Sequence, residues 1–180
     1  MELNETILRS ETIYDGKIVH LKVHEVRLPD GREAKREVVE HSGAVAIVPV
    51  LDDGTVLMVR QFRLPAGKVL LEIPAGTLEK GEEPLACAHR ELEEETGYRA
   101  ARMQPLFTAF LAPGYSTERI HAFLATGLTK FHAHTDEDET VETVSFPMAD
   151  VERMVLAGEI EDAKSISALL VGLKHLPKRG

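Results

Sequence analysis

Glu91, Glu94 and Glu95 are spaced i, i+3 and i+4, so on a helix they share an arc of about 100°. Like charges at this spacing repel by about 0.2–0.5 kcal/mol per pair. Near the C-terminal end of a helix the macrodipole adds to that cost. A hard divalent cation offsets both, because Mg2+ takes oxygen ligands and binds through a few carboxylates together with substrate phosphates. Without a cation, the same residues read as a solvated acidic face with Arg90 paired to Glu94 at i+4. The helix itself is well marked over Glu83–Thr96, with Pro84 in the first turn, acidic residues leading in and Gly97 as the stop. Its wheel sends Leu85, His89, Leu92 and Thr96 toward the core and places Cys87 on the carboxylate side, where a small side chain leaves space for a ligand.

The elements around this helix are mostly strands. Val19, Leu21 and Val23 alternate with Lys22 and His24, Pro29-Asp30-Gly31 supplies turn chemistry, and Glu33–Glu40 is the return of a hairpin. This opening has one polar side and no evident helix, the mark of a small β appendage that buries its other face against a second subunit. From Ala44 the pattern changes. Residues 44–51 read as a buried strand, Asp52-Asp53-Gly54 as a turn, and Thr55–Gln61 as the next strand. Further strands are expected near Val69–Ile73, Met103–Leu111, Arg119–Ala125 and Glu142–Phe146. Asp150 is expected to cap a helix ending at Leu156, and Lys164–His175 has the spacing of a last amphipathic helix. The class is α/β or α+β with a mixed sheet.

At 180 residues, one core-bearing domain with a small appendage is the default. The charged fraction of 28% and apolar fraction of 43% exclude a disordered chain. With 21 basic against 30 acidic residues the formal charge is −9, which argues against duplex nucleic acid and anionic membrane as partners. The longest apolar run is far short of a membrane span, and no basic-then-apolar signal pattern opens the sequence. Cys87 is the single cysteine, which excludes an intrachain disulfide and fits a reducing cytoplasm; it reads as a small packing residue and not a reactive thiol. With no tryptophan, a base would have to stack on Tyr14, Phe62 or Arg36.

Gly76, Glu82, Arg90, Glu91, Leu92, Glu94, Glu95, Gly97 and Tyr98 fit the pattern G-x5-E-x7-R-E-U-x-E-E-x-G-U, where U is a bulky apolar residue. This resembles the box of the Nudix hydrolase superfamily, with only the aromatic Tyr98 loose. The resemblance implies a loop–helix–loop inside an α/β/α sandwich that binds divalent metal and hydrolyses a nucleoside diphosphate linked to another moiety. It implies metal ligands at Glu91, Glu94, Glu95 and the carbonyl of Ala75. It assigns catalysis to Glu94, Glu95 and Arg90, with Arg90 and Glu82 orienting the loop and the carboxylates. Mg2+ is the expected ion, with Mn2+ or Zn2+ as substitutes, and its charge answers the objection that an acidic chain should repel its substrate. Gly76 and Gly97 also read as plain turn and helix-stop geometry.

The flanks Val59-Arg60-Gln61-Phe62-Arg63, Leu71 through Gly76, and Ala112-Pro113-Gly114-Tyr115-Ser116-Thr117-Glu118-Arg119 resemble the ADP-ribose pyrophosphatase branch. There, a proline about 15 residues past the box, as Pro113 is, marks the substrate class. By this resemblance Arg63 contacts the pyrophosphate and Glu118 the terminal ribose, with Pro113, Gly114 and Arg36 also lining the substrate. On residues alone, Arg63 reads as a surface arginine ending a strand, and Glu118 as a partner of Arg119 or solvent. Asp136-Glu137-Asp138-Glu139 reads on its own as a solvated loop. By position it resembles the branch's acidic loop, with Glu137 as general base and Glu139 as a further ligand, and the adjacent acids leave the register open by one or two places. The branch exchanges N-terminal β segments between two protomers, so the expectation is a homodimer, with residues 1–42 as dimerising β segment and 43–180 as hydrolase domain. The alternatives are hydrolysis of another conjugate such as GDP-mannose, and a non-catalytic nucleotide-binding protein.

Overall fold

The computed structural model describes residues 3–131 and 141–176. It divides into two compact units, one made of the chain up to Gly43 with Phe110–Arg119, the other of Ala44–Ala109 with the chain from Ile120 onward.

The first unit is an antiparallel meander of β1 (Thr6–Asp15), β2 (His20–Arg27) and β3 (Glu33–Glu40), in that order. Pairing runs Leu21 to Val39 and Val26 to Ala34. The turn between β2 and β3 closes where the Gly31 amide donates to the Leu28 carbonyl at 2.9 Å, as its Pro-Asp-Gly chemistry predicts. Val26 is the buried residue of this sheet, whereas β1 is exposed along its whole length. The segment from Phe110 joins the free edge of β3: the Val39 amide donates to the Tyr115 carbonyl at 2.7 Å and the Thr117 amide to the Val39 carbonyl at 2.9 Å.

The second unit runs in chain order through β4 (Ala44–Pro49), β5 (Thr55–Arg63), β6 (Lys68–Glu72), β7 (Ala75–Thr77), α1 (Pro84–Thr96), β8 (Tyr98–Phe110), β9 (Arg119–Lys130), β10 (Val141–Pro147), α2 (Met148–Leu156) and α3 (Ala163–Gly172). One sheet has the order β7-β4-β9-β8 and the other β10-β5-β6. The first is mixed, because β4 is parallel to β9 and antiparallel to β7. Strand β4 is buried throughout, and its alternation divides the core in two. Val45 and Ile47 pack with Cys87, Ala88 and Leu92 of α1. Ala44, Ala46 and Val48 pack with Met58 of β5, Met154 of α2 and Leu169 of α3. This is the sandwich of helices about a mixed sheet that the resemblance implied. Burying a side chain such as Ile47 or Leu92 contributes about 1.5–3 kcal/mol each. Among the described residues no helix is long and apolar enough to cross a membrane.

Three local expectations need correction. The buried face of α1 is Cys87, Ala88, Leu92 and Thr96, and Leu85 is 48% exposed. Cys87 is core, which bears out its reading as a small packing residue and not its reading as the wall of a ligand space: the face turned to β4 needs small residues there for helix and strand to approach. Asp150 lies inside the first turn of α2, whose cap position is Pro147. The last helix begins earlier than Lys164, because the Asp162 side chain caps it by accepting the Ser165 amide at 3.0 Å.

Candidate active site

Helix α1 starts on Pro84 and stops at Gly97, whose φ of 72° takes the left-handed conformation that a glycine tolerates. Between these ends it presents Arg90, Glu91, Glu94 and Glu95. Arg90 organises the group. Its Nε and Nη2 donate to the two oxygens of Glu82, each at 3.0 Å. Nη1 donates to Glu91 at 2.7 Å and to Glu94 at 2.9 Å. The guanidinium thus ties the loop before α1 to two carboxylates on α1, and the i+4 pairing to Glu94 is one arm of a larger arrangement. Hydrogen bonds from Arg90 hold the Glu82 carboxyl down to about 2, so it is ionised at any working pH. The same bonds raise the Arg90 pKa further. Burial first, and then Glu82, push the Cys87 thiol up to about 12; it is a neutral packing group without nucleophilic character at neutral pH.

Gly76 has its own reason. A Cβ there would stand 1.8 Å from the Glu91 carboxyl carbon, so only glycine lets that carboxylate lie against β7. Gly76 does not have positive φ, so close approach and not turn geometry explains it. Glu95 accepts a hydrogen bond from the Ala75 amide at 2.9 Å, which fixes its carboxylate beside the backbone whose carbonyl was expected to be a ligand. Among the described residues no three His, Cys, Asp or Glu side chains converge as a ready metal cage. The donor set nevertheless fits a hard cation. It offers only oxygens, its carboxylates share one helix face, and a cation of this kind needs few protein ligands when phosphates and water complete its shell.

Arg63 ends β5 and grips Glu72, with Nε to Oε1 at 2.8 Å and Nη2 to Oε2 at 2.9 Å. Glu72 was missed as a candidate, although a charged residue between Leu71 and Ile73 in an apolar run was the available signal. Lys164 was missed as well, and it meets Glu72 only through tertiary folding.

The remaining expected substrate residues belong to the first unit. Arg36 on β3 is held by Glu5, through Nε at 3.0 Å and Nη2 at 2.5 Å. Pro113 and Gly114 are exposed. Glu118 is half-buried, and its amide donates to the Ser116 hydroxyl at 3.1 Å. No ion pair joins Glu118 to Arg119 among the described residues; Arg119 instead stands 5.4 Å from the centre of the Phe110 ring. Of the stacking candidates, Tyr14 and Phe62 are exposed. Glu137 and Glu139 lie outside the described residues.

Comparison with known proteins agrees with this architecture. The NUDIX domain family matches residues 40–169, and a nucleoside diphosphate sugar hydrolase N-terminal domain matches residues 5–39. The chain belongs to the Nudix family and is a Nudix hydrolase. It is 44% identical over 169 residues to an ADP-ribose pyrophosphatase of Bacillus subtilis (strain 168), covering 93% of this chain and 91% of that one. It is 41% identical over 178 residues to a methanol dehydrogenase activator of Bacillus methanolicus, covering 95% and 96%. To a GDP-mannose pyrophosphatase of Yersinia pestis (strain Pestoides F) it is 35% identical over 173 residues, covering 87% and 85%. A crystal structure of an ADP compounds hydrolase superposes with a TM-score of 0.85 at 24% identity, covering 97% of this chain and 95% of the other, and shares its fold.

Proposed function

We propose that this enzyme hydrolyses the pyrophosphate bond of ADP-ribose to AMP and ribose 5-phosphate with Mg2+ as cofactor. The observation that carries the reading is the Arg90 arrangement, which holds Glu91 and Glu94 on one face of α1 and anchors the loop through Glu82. The likeness to the ADP-ribose pyrophosphatase of B. subtilis supports the substrate.

Glu91, Glu94, Glu95 and the Ala75 carbonyl would hold the cation, with Glu139 as a further ligand. When bound, it neutralises phosphate charge and makes water easier to deprotonate. Arg90 holds Glu91 and Glu94 facing the same way. The Ala75 amide fixes the direction of the Glu95 carboxylate. Arg63 offers the diphosphate the guanidinium edge that Glu72 does not occupy. Glu137 takes the proton from the attacking water, and Glu118, Pro113, Gly114 and Arg36 hold the nucleoside and the terminal ribose. Phosphoryl chemistry of this kind needs positioning and electrostatic stabilisation rather than a covalent intermediate.

The protein acts as a homodimer in the cytoplasm. The exposed apolar side chains Ile7, Ile13 and Tyr14 of β1 support a partner copy at that sheet. A second reading, GDP-mannose as substrate, is favoured by the 35% identity to the Yersinia enzyme. A panel of nucleoside diphosphate conjugates at saturating Mg2+ tests the choice. ADP-ribose is expected to show the highest kcat/KM, and a higher value for GDP-mannose would replace the first reading by the second.

A further inference from the structure

Glu72 is 1% exposed, at the end of β6 and outside the box. Burial opposes its ionisation, but hydrogen bonds from Arg63 and the charge of Lys164 outweigh that and keep its carboxyl below the usual range. Lys164 Nζ donates to Glu72 Oε2 at 2.5 Å and to Asp162 Oδ2 at 2.8 Å. Asp162 Oδ2 also takes the Ser165 hydroxyl at 2.5 Å, and that hydroxyl accepts the Ile73 amide at 2.9 Å. The first turn of α3 therefore holds residues 72 and 73 from two sides, just ahead of Ala75.

An ionic cluster is a poor way simply to fasten a strand end, since apolar residues of equal volume do so as well or better. What it supplies is direction and charge. With Nε and Nη2 committed to Glu72, the Nη1 edge of a guanidinium that is 39% exposed faces away from the carboxylate. A group already held in one rotamer loses little freedom when a phosphate arrives. Arg63 and Lys164 balance Glu72 and Asp162. Without Lys164 the cluster would carry one net negative charge against an anionic substrate.

We propose that Lys164 is a positioning residue for substrate binding: acting through Glu72, it fixes the Arg63 guanidinium that receives the diphosphate. This rests on the reading of Arg63 as a diphosphate-binding group. Lys164→Met, Lys164→Arg, Glu72→Gln and the Lys164→Met/Glu72→Gln double variant are compared by steady-state kinetics with ADP-ribose at saturating Mg2+. The 15N chemical shift of Arg63 Nε is followed in each. In Lys164→Met, KM is expected to rise about tenfold with kcat within about twofold, and the Arg63 Nε signal to move. Lys164→Arg restores both, and the double variant is no worse than Glu72→Gln alone, the non-additivity expected of residues acting in series. Lys164→Gln, which keeps a hydrogen-bond donor, replaces Lys164→Met should the latter not fold. An unmoved Nε signal, an unchanged KM with only a lowered Tm, or additive effects in the double variant would overturn the proposal. An Nε signal that moves in Lys164→Met, together with a wild-type protein that cannot cleave ADP-ribose, would overturn the substrate reading and leave the coupling standing.

Discussion

Arg90 and Arg63 both grip a glutamate through Nε and Nη2, yet they draw on different stretches of chain. Arg90 takes Glu82, Glu91 and Glu94 from one loop and one helix, no more than 8 residues away. Arg63 reaches Glu72 across a strand pair, and Glu72 in turn depends on Lys164, 92 residues further on. The first cluster leaves carboxylates on a helix face where a cation and phosphates can meet them. The second sinks its carboxylate and leaves a cation edge outward. Under the proposed function, one prepares a negative site for metal and the other a positive group for phosphate, from the same arginine–glutamate unit. The acids differ in burial: the Glu72 side chain is 2% exposed, against 15% for Glu82, 12% for Glu91 and 35% for Glu94.

The largest effect is expected where the negative cluster is cut. Glu95→Gln lowers kcat for ADP-ribose by about a thousandfold, roughly 4 kcal/mol, while circular dichroism and Tm stay close to wild type. Next comes Gly76→Ala, whose methyl group has to displace the Glu91 carboxylate. It raises the Mg2+ concentration for half-maximal rate by about 10–100-fold, as a metal titration would record. Arg90→Lys keeps the charge but loses the two-pronged grip on Glu82, and lowers kcat by about tenfold.

Acid titration reads the first cluster through stability. The Glu82 pKa is depressed to about 2 from an ordinary 4.5, so its stabilising contribution is complete above about pH 4.5 and is lost as pH falls toward 2. The Tm difference between wild type and Glu82→Gln is therefore expected to narrow steadily over that window. A constant difference would mean that Arg90 does not depend on the ionised acid. The smallest effect belongs to Cys87, buried and with a thiol pKa near 12. Native protein at pH 8 should resist iodoacetamide, and one equivalent should react after denaturation, as intact mass would show.

Why the first cluster could be read from sequence and the second could not follows from the same contrast. Helical spacing turns positions 90, 91, 94 and 95 into neighbours before any tertiary structure is considered, so Arg90 pairing with Glu94 was accessible from the residues alone. Strand β4 was equally legible, because burial on both faces leaves a continuous apolar run. The Arg63–Glu72–Lys164 cluster requires β5, β6 and α3 to be brought together, and no periodicity reports that. Leu85 misled for a related reason: a wheel ranks apolar residues, whereas the face that packs on β4 was chosen by the small Cys87 and Ala88. Gly76 was read as a turn because a glycine's need for space depends on Glu91, 15 residues later in the chain.

Under the proposed function, the α1 carboxylates support metal-dependent cleavage of a nucleoside diphosphate. Purified protein incubated with ADP-ribose, with Mg2+ or with excess chelator, and analysed for products by chromatography, tests it most directly. AMP and ribose 5-phosphate are expected in equal amounts with Mg2+, and neither with chelator. Equal turnover in chelator, or no cleavage of any nucleoside diphosphate conjugate by folded, Mg2+-supplied protein, would contradict it.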